Sequence, residues 1–264
     1  MDSITSLQNP KVKAYNQLVS SAKERREQGL FVLEGLRLVL DVVRSGRTIK
    51  ELYFTKVLYI NNTDDIEKLI SLSDESYEIS DSVAEKMSDT KSPQGIFAVV
   101  ARNDCDNEID GAGKYVLLEN VQDPANLGAI SRTAEALGIT GLIVSGGCDV
   151  YSPKALRASM GALLRIPVIE TDDVRMTIED AQKRGMKTYA STPREDAESI
   201  TDVDFSDGVI VVVGNEANGV TQSTMDGCKN SITIEMTGRA ESLNAGAAAS
   251  IIMWEMVKPI NDKS

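Results

Sequence analysis

The fold class is decided by a stretch in the second half of the chain that reads YVLLENVQDPANLGAISR, from Tyr115 to Arg132. An apolar, strand-like run ends there in a polar turn, and a helical pattern follows. The same order recurs along the chain, with strands expected at 115–119, 141–145, 187–190, 209–213 and 231–234 and helices at 129–137, 153–164, 174–184 and 243–257. Continuous Val, Ile and Leu strands that alternate with helices predict a parallel sheet covered on both faces, in an α/β fold.

The first hundred or so residues carry a pattern of their own, in which short strands and helices alternate. Helices are expected after the start signal Asn9-Pro10 and over 36–43, 65–72 and 82–87, the last with Asp81 as N-cap, and strands at 31–33, 51–55 and 94–100. The stretch 103–114 is polar, contains glycine and has almost nothing to bury. We therefore predict a small domain over 1–104, a linker over 105–113 and a second domain over 114–264.

Histidine is absent from the 264 residues. Its absence excludes a Ser-His-Asp triad, a Cys-His nucleophile and His-ligated metals, so catalysis would depend on Arg, Lys, Glu, Asp, Ser, Asn or backbone groups. The cysteines Cys105, Cys148 and Cys228 never stand in C-x-x-C spacing, and we expect neither a disulfide framework nor a bound metal. No apolar run has the length of a signal peptide or a membrane helix, which favours a cytoplasmic protein without a membrane partner.

The formal net charge of −12, taken alone, argues against a protein that binds nucleic acid. The distribution of the charges points the other way, because residues 1–56 hold 10 Lys and Arg against 6 Asp and Glu, whereas residues 105–264 hold 14 against 24. A basic N-terminal face on an acidic body can bind phosphate locally. A solvated helix surface explains the same charges equally well.

Three polar loops follow apolar runs in the second half, and ligands bind at such carboxyl ends of parallel strands. The loops read NVQDPANLG at 120–128, GNEANG at 214–219 and, after Ile234, ESLNAG at 241–246. Arg132 lies about one helical turn beyond the first loop and can face the same crevice as Asn126. Glu216 is expected to pair with a cation or to accept backbone hydrogen bonds, because a carboxylate buried at a strand end is costly without partners.

Each loop also has an ordinary structural explanation. The first reads equally well as a turn with a surface arginine, and Ser242 reads as the N-cap of the last helix. A phosphate-binding loop is disfavoured, since the second loop lacks G-x-x-x-x-G-K-[ST] and carries a negative charge. A dinucleotide-binding enzyme is disfavoured as well, because only Ser145-Gly146-Gly147 follows a strand where G-x-G-x-x-G would be needed.

Taken together and in this order, the three loops resemble the signature motifs of the SpoU (TrmH) class of RNA ribose 2′-O-methyltransferases. The match is N-x-x-D-P-x-N-x-G-x-x-x-R from Asn120, then G-N-E from Gly214, then S-L-N from Ser242, and the likeness covers about 114–258. The part before the linker resembles the small substrate-binding domain, of ribosomal-protein-like fold, that many of these enzymes carry. The stretch FVLEG at 31–35 and the strand that begins with Gln94-Gly95 carry this second, weaker likeness.

The resemblance implies a parallel sheet whose C-terminal segment threads a trefoil knot, and S-adenosylmethionine as the cofactor. It also implies a homodimer whose site lies near the subunit interface, and methylation of a ribose 2′-hydroxyl in structured RNA. We favour 23S ribosomal RNA over transfer RNA, because a two-domain enzyme suits a large folded substrate. A non-catalytic RNA-binding or ribosome-assembly factor on the same scaffold is the alternative.

The residues that the resemblance implies fall into three sets. Catalytic and RNA-positioning roles would fall to Asn126, Arg132, Glu216, Ser242 and Asn244. Backbone groups at Gly214, Ile234 and Leu243 would bind the cofactor, with Thr192 close by. Phosphate contacts would come from the basic stretch near the N-terminus, at Lys11, Lys13, Lys23, Arg25, Arg26 and Arg37.

Two positions beside the motifs depart from the family pattern. Glu235 stands where Pro usually follows Ile, and Ala217 stands where Gly is common after Glu, which bears on loop geometry and cofactor affinity. The family assigns the base that accepts the hydroxyl proton to Arg132, although a guanidinium is normally protonated. We expect Arg132 mainly to position phosphate and stabilise the developing alkoxide; desolvation beside a sulfonium could lower its proton affinity enough for direct base catalysis.

Overall fold

The structure is a computed structural model that describes residues 2–102, 108–194 and 196–258. The chain divides into two compact units: unit 1 comprises Met1–Cys105 and Asp149–Leu164, and unit 2 comprises Asp106–Cys148 and Arg165–Ser264. The sequence-based division differs for 149–164, which it assigns to the second domain. That segment is held in unit 1 in part by the buried guanidinium of Arg25, whose Nη2 and Nε lie 2.5 and 2.7 Å from Asp149. Residues 105–107 of the predicted linker lie outside the described residues.

Each unit is built around one sheet. The strands are β1 Asp2–Ile4, β2 Leu30–Glu34, β3 Ile49–Thr55, β4 Ser73–Ile79, β5 Ile96–Ala101, β6 Lys114–Glu119, β7 Gly141–Ser145, β8 Val168–Glu170, β9 Lys187–Ser191, β10 Glu198–Ser199, β11 Val209–Val213 and β12 Asn230–Thr233. The helices are α1 Pro10–Ser20, α2 Ala22–Gln28, α3 Leu36–Arg44, α4 Lys56–Asn61, α5 Thr63–Ser71, α6 Asp81–Met87, α7 Pro124–Leu137, α8 Pro153–Ala158, α9 Ala162–Arg165, α10 Val174–Lys183, α11 Gln222–Gly227 and α12 Ala245–Val257.

The sheet of unit 1 is mixed and has the strand order β1-β4-β3-β5-β2. Strands β1, β4 and β3 run parallel, and β5 pairs antiparallel with both β3 and β2. The apolar face of α1 packs on this sheet, where the ring of Tyr15 meets Phe97 and Tyr53 edge to face. These contacts give unit 1 a core of its own.

Unit 1 differs from the sequence prediction at several elements, among them β4 and the cap of α6. Strand β4 reads SDESYEI and lacks an apolar pattern, yet it pairs in parallel with a neighbour on each side, so backbone hydrogen bonds rather than side chains define it. The N-cap of α6 is Ser80 and not Asp81, because the Ser80 hydroxyl accepts from the amide of Val83. Asp81 instead occupies the first helical turn, where a carboxylate also favours the helix dipole.

The sheet of unit 2 has seven strands in the order β10-β12-β9-β11-β6-β7-β8, and every pairing is parallel. All five residues of the central strand β11 are buried. The predicted α/β class with a parallel sheet is therefore confirmed for this part of the chain. Threading of the chain through a knot stays a prediction.

The helices of unit 2 begin at different residues from those that the sequence predicts. Helix α7 begins at Pro124, with Asp123 accepting from the Ala125 amide at 2.8 Å, so Asn126 lies inside the helix rather than before it. The cap of α12 is Asn244 and not Ser242, since Asn244 Oδ1 accepts from two helix amides. In both cases a side-chain oxygen two or three residues before the bonded amide satisfies a free helix N–H.

The predicted helix over 153–164 is broken in two. Helices α8 and α9 are separated at Ser159–Gly161, where Met160 has φ 49° and Gly161 φ 85°. Left-handed backbone at two successive residues ends an α-helix. Within the described parts of the chain, none of the helices combines the length and the apolar character needed to cross a membrane.

Candidate functional site

The candidate site lies in unit 2, at the carboxyl ends of its parallel strands. The loop after β6 leads into α7, the loop after β11 spans 214–220, and the chain after β12 leads through 234–244 into α12. Strands β6 and β11 are neighbours in the sheet, so the first two loops emerge side by side. The topology thus gathers the three polar loops that the sequence singles out.

A cavity of about 360 Å³ opens among these loops. The four residues predicted to bind cofactor, Thr192, Gly214, Ile234 and Leu243, all line it. Glu216 and Ser242 of the predicted catalytic set line it as well, whereas Asn126, Arg132 and Asn244 are not part of its wall. The volume falls in the range of small-molecule sites, which are mostly apolar with a few placed polar groups.

Several residues of the cavity wall carry no signal in the sequence. They are Ser191, Pro193, Met225, Thr233 and Ile252, among others. Met225 and Ile252 read as ordinary core positions of α11 and α12, because a helix face that packs inside and one that lines a pocket are both apolar. Only the tertiary structure distinguishes the two.

The three loops are joined by a chain of side-chain hydrogen bonds. Asn244 Nδ2 donates to Asn126 Oδ1 at 2.9 Å, and Asn126 Nδ2 donates to Glu216 Oε1 at 2.7 Å. Asn126 is buried, so both of its polar atoms are satisfied by the other two loops. The structure therefore brings Asn126, Glu216 and Asn244 together, as a connected group beside the cavity rather than as separate residues.

Glu216 is exposed, which differs from the buried strand-end position expected from the sequence. Its carboxylate nevertheless accepts backbone hydrogen bonds, from the amides of Gln122 and Asp123 at 3.2 Å each. Partial burial acts to raise the pKa of Glu216, but the hydrogen bonds from Asn126 and from backbone amides outweigh it and lower the pKa below its usual value. At neutral pH the carboxylate is ionised, fully engaged as an acceptor, and holds the first loop in place.

The second loop has a close internal approach that only glycine allows at its start. A Cβ added to Gly214 would lie 2.1 Å from the carbonyl carbon of Gly219, and the loop closes through paired hydrogen bonds between Asn215 and Gly219. Ala217, where the family pattern favours glycine, faces the cavity. Its amide donates to Asn215 Oδ1 at 2.9 Å, so the alanine is accommodated without loss of the turn.

Arg132 lies on an exposed face of α7 and makes no hydrogen bond or ion pair with the described residues. It shares that face with Ala125, Ala129 and Ala136, which are also exposed. Helix α12 packs beside α7 and exposes Ile251 and Trp254, the latter by 57%. Arg132 and these apolar side chains thus lie on the exposed surfaces of two helices that pack against each other.

The basic residues predicted to bind phosphate lie in unit 1 and divide into two groups. Lys13, Lys23, Arg26 and Arg37 are exposed, and within the described residues their one ion pair is a long contact from Lys23 to Glu27 at 3.7 Å. Lys11 and Arg25 are instead engaged within the fold. Lys11 Nζ lies 2.6 Å from both Glu51 and Glu75, and Arg25 is buried against Asp149 and the carbonyl oxygens of Leu18 and Val19. A phosphate contact from Lys11 or Arg25 would have to compete with these carboxylate partners, and the RNA-binding role of the six cations stays a prediction.

Among the residues that the structure describes, no group of three or more Cys, Asp or Glu side chains is arranged to hold a metal ion.

Profiles of known families match both parts of the chain. The SpoU rRNA Methylase family matches residues 113–254, and the MRM3-like substrate binding domain matches residues 9–98. The first match covers the parallel sheet and the candidate site, and the second covers most of the mixed sheet of unit 1.

Similar proteins extend over nearly the whole chain. An uncharacterized tRNA/rRNA methyltransferase of Synechocystis sp. is 31% identical over 96% of this chain and 92% of its own length. The 23S rRNA (guanosine(2553)-2′-O)-methyltransferase RlmP of Bacillus subtilis is 28% identical over 97% of this chain and 99% of its own. The crystal structure of an AdoMet-bound rRNA methyltransferase from Sinorhizobium meliloti superposes with a TM-score of 0.84, at 28% identity and 97% coverage of each chain.

The parallel sheet, the cavity at its carboxyl edge and these matches define an RNA methyltransferase. The chain belongs to the SpoU rRNA methylase family and carries an MRM3-like substrate-binding domain before the methylase domain.

Proposed function

We propose that this protein transfers a methyl group from S-adenosylmethionine to a ribose 2′-hydroxyl of RNA, with 23S ribosomal RNA as the substrate. The observation that carries the proposal is the cavity in unit 2, because every residue predicted to bind cofactor lines it and the Asn244–Asn126–Glu216 chain stands beside it. The named activity of RlmP and the cofactor in the Sinorhizobium meliloti structure support the same reaction.

The residues present fit S-adenosylmethionine. The wall combines backbone groups, as at Gly214 and Leu243, with apolar side chains such as Ile234 and Ile252. Such a wall can bind an adenosine by hydrogen bonds to peptide groups and by apolar contact. The carboxylate of Glu216 in the same wall suits a cationic ligand. When bound, this cofactor supplies an electrophilic methyl group on a sulfonium.

Arg132 is the residue that we place at the reacting hydroxyl. A guanidinium binds phosphate through two parallel hydrogen bonds and can hold the backbone of the substrate RNA. The same positive charge would stabilise the negative charge that develops on the 2′-oxygen as its proton leaves to solvent. Ser242, which lines the cavity, would position the ribose, and Glu216 and Asn244 hold the loops in place. Direct proton acceptance by Arg132 is the alternative, and it would require a site desolvated enough to lower the proton affinity of the guanidinium.

We also propose that the protein works as a homodimer through the face that α7 and α12 share. Exposed Ile251 and Trp254 on α12 and the small exposed residues of α7 allow two copies to approach closely. Arg132 lies on this face and outside the cavity of its own chain, so a dimer here would place it at a subunit interface. We propose as well that the C-terminal segment of the chain forms a knot and that the protein is cytoplasmic.

The RNA surface that we propose in unit 1 depends mainly on the exposed cations. Lys13, Lys23, Arg26 and Arg37 supply phosphate contacts that fix the orientation of the RNA but read no sequence. The acidic balance of the rest of the chain keeps binding away from unit 2 except at the site itself. Recognition of the target nucleotide therefore depends on RNA shape near the cavity.

The decisive experiment has two parts. Calorimetry of the purified protein with S-adenosylmethionine should give one binding event per chain, and mapping of ribose methylation in cells with and without the gene should show one 23S ribosomal site lost. Loss of a transfer RNA site instead would change the substrate and keep the reaction. If the protein binds RNA but not the cofactor, the proposed enzyme is wrong and the protein is a non-catalytic assembly factor.

A further inference from the structure

Asn215 precedes Glu216 in the second loop and is part of the G-N-E motif, but it is not among the residues to which the family resemblance gives a role. We propose that Asn215 is a positioning residue for the methyl transfer, because its side chain fastens the loop of the cavity wall to the turn that begins α7. The inference rests on the proposed function, since it names a residue that serves the same site.

One half of the Asn215 side chain shapes its own loop. Its Oδ1 accepts from the amides of Ala217 at 2.9 Å and Asn218 at 3.2 Å, in a turn in which a side-chain oxygen satisfies successive backbone donors. Its backbone pairs with Gly219 in both directions, at 3.1 and 2.9 Å. The acceptor oxygen therefore maintains the part of the cavity wall that 214–220 supply.

The other half of the side chain reaches a different loop. Asn215 Nδ2 donates to the backbone carbonyl of Asn120 at 2.9 Å. Asn120 has φ 58°, a left-handed conformation that non-glycine residues rarely adopt, and its own amide donates to Ser145 at 2.7 Å. The strained residue at the end of β6 thus presents its carbonyl to Asn215, which is the kind of backbone strain that clusters at functional sites.

The contact with Asn120 lies directly before the residues that organise the first motif. The amides of Gln122 and Asp123 donate to Glu216, and Asp123 caps α7, the helix that carries Asn126 and Arg132. One donor on Asn215 therefore fixes the cavity wall relative to the start of α7. Glu216 and Asn215 therefore link the same two loops by hydrogen bonds, Glu216 through its carboxylate and Asn215 through its side-chain amide.

The two halves can be separated by one isosteric substitution. Asn215→Asp keeps the acceptor for Ala217 and Asn218 but removes the donor to Asn120, whereas Asn215→Ala removes both. An added carboxylate would, if anything, favour a cationic cofactor, so lost turnover in Asn215→Asp cannot come from electrostatic loss of that cofactor. Asn230→Asp, exposed at the start of β12 and outside the cavity, is the charge-matched control.

The experiment measures S-adenosylmethionine affinity by calorimetry and kcat on the target RNA in wild type and in each variant. Asn215→Asp should lower kcat on the order of 10- to 100-fold, as expected for reacting groups displaced by about 1 Å, while the cofactor Kd stays within about threefold. Asn215→Ala should lower both the cofactor affinity and kcat, and Asn230→Asp should change neither quantity. Equal losses of affinity and kcat in Asn215→Asp, or wild-type kcat in that variant, would overturn the proposal.

A second pair of variants tests the strained partner. Asn120→Gly and Asn120→Ala both lose the side-chain contact from Gln122, but only glycine tolerates the left-handed backbone that aims the carbonyl. Asn120→Gly should therefore retain more turnover than Asn120→Ala. The opposite order would contradict a role for the hydrogen bond from Asn215 to the Asn120 carbonyl. A wild-type protein that neither binds cofactor nor methylates RNA would overturn the proposed function itself. If the wild type is active and the variants keep its kcat and cofactor affinity, only the role of Asn215 is overturned.

Discussion

Asn126 donates a hydrogen bond to Glu216 at 2.7 Å, between side chains that lie 90 residues apart in the sequence. The other polar atom of Asn126 accepts from Asn244. A neutral amide is required in the middle of this chain, because it must donate to a carboxylate on one side and accept from an amide on the other. The identity of the residue at 126 is therefore set by its two partners.

Asn126→Asp should disable the site more than Asn126→Ala does. The substitution places a second carboxylate at 2.7 Å from Glu216, and two carboxylates that close cannot both be ionised without a large cost. One pKa of the pair should rise, so methylation by Asn126→Asp should recover as pH falls from 8 to 5.5 relative to the wild type. A pH–rate profile checks this, and an unchanged ratio of variant to wild-type rates across that range would contradict it.

Arg132→Ala should strongly reduce turnover and leave folding and cofactor binding intact. The side chain is exposed, contacts no described residue by hydrogen bond or ion pair and does not line the cavity, so its removal costs little stability. A loss of about 10²- to 10³-fold in kcat is the usual effect of deleting one charge-stabilising group. Single-turnover methylation and thermal unfolding measure the two quantities, and Arg175→Ala, exposed on α10, controls for lost charge. Substantial residual methylation would remove Arg132 from the mechanism.

Arg25 and Arg26 are adjacent in sequence and should respond oppositely to alanine. Arg25 is buried in an ion pair with Asp149, so Arg25→Ala breaks a buried ion pair and should cost about 3–5 kcal/mol of folding free energy. Arg26 is exposed, so Arg26→Ala should leave stability unchanged but reduce the salt dependence of RNA binding by about one counterion. Denaturant unfolding and RNA affinity at several salt concentrations separate the two, and identical behaviour would contradict the assignment.

Trp254→Glu should convert the proposed dimer into monomers. Trp254 is exposed by 57% on α12, beside Ile251, and a carboxylate there would be buried in the interface without a partner. Met176 on α10 is exposed to the same extent, and Met176→Glu is the matched control that should stay dimeric. Light scattering at micromolar concentration measures the mass of each variant. A dimer that survives Trp254→Glu would place the interface elsewhere.

The ion cluster around Lys11 should make unit 1 sensitive to acid. Hydrogen bonds from Lys11 and Tyr77 lower the pKa of Glu75, so this carboxylate stabilises the fold above its ordinary pKa and the contribution is lost as pH falls through the lowered value. The pKa of Lys11 is raised, because hydrogen bonds to Glu51 and Glu75 outweigh burial, so Lys11 remains charged throughout that range. Lys11→Met should reduce stability at pH 7 and flatten its decline between about pH 5 and pH 3. Parallel pH-dependent unfolding curves would contradict this.

Much of the fold could be predicted from the sequence because the parallel strands of unit 2 are almost wholly apolar. A strand such as VIVVV at 209–213 is buried on both faces, and such runs occur mainly in covered parallel sheets. The polar loops at the strand ends could be predicted as well, since Asn, Gly and carboxylate residues follow the apolar runs directly. The four positions predicted for cofactor binding come together at one cavity for the same reason.

Helix boundaries were less predictable because several residues could act as caps. Ser80 and Asp81 can each cap α6, and Ser242 and Asn244 can each cap α12; the choice depends on which oxygen reaches a free amide in three dimensions. The break at Met160 has no signature in composition, since methionine normally continues a helix. Local propensities of comparable strength leave such choices to the tertiary structure.

The sequence by itself determined the class of sheet, the order of the motifs and the residue types at the site. It could do so because the apolar pattern of each strand indicates which residues are buried and where the strand ends. Only the tertiary structure decided which charges remain free: of two neighbouring arginines it buries Arg25 against Asp149 and leaves Arg26 exposed. It alone linked Asn215 to Asn120 and Asn126 to Glu216, since a hydrogen bond depends on distances of a few tenths of an ångström between atoms that the chain separates by about 90 residues.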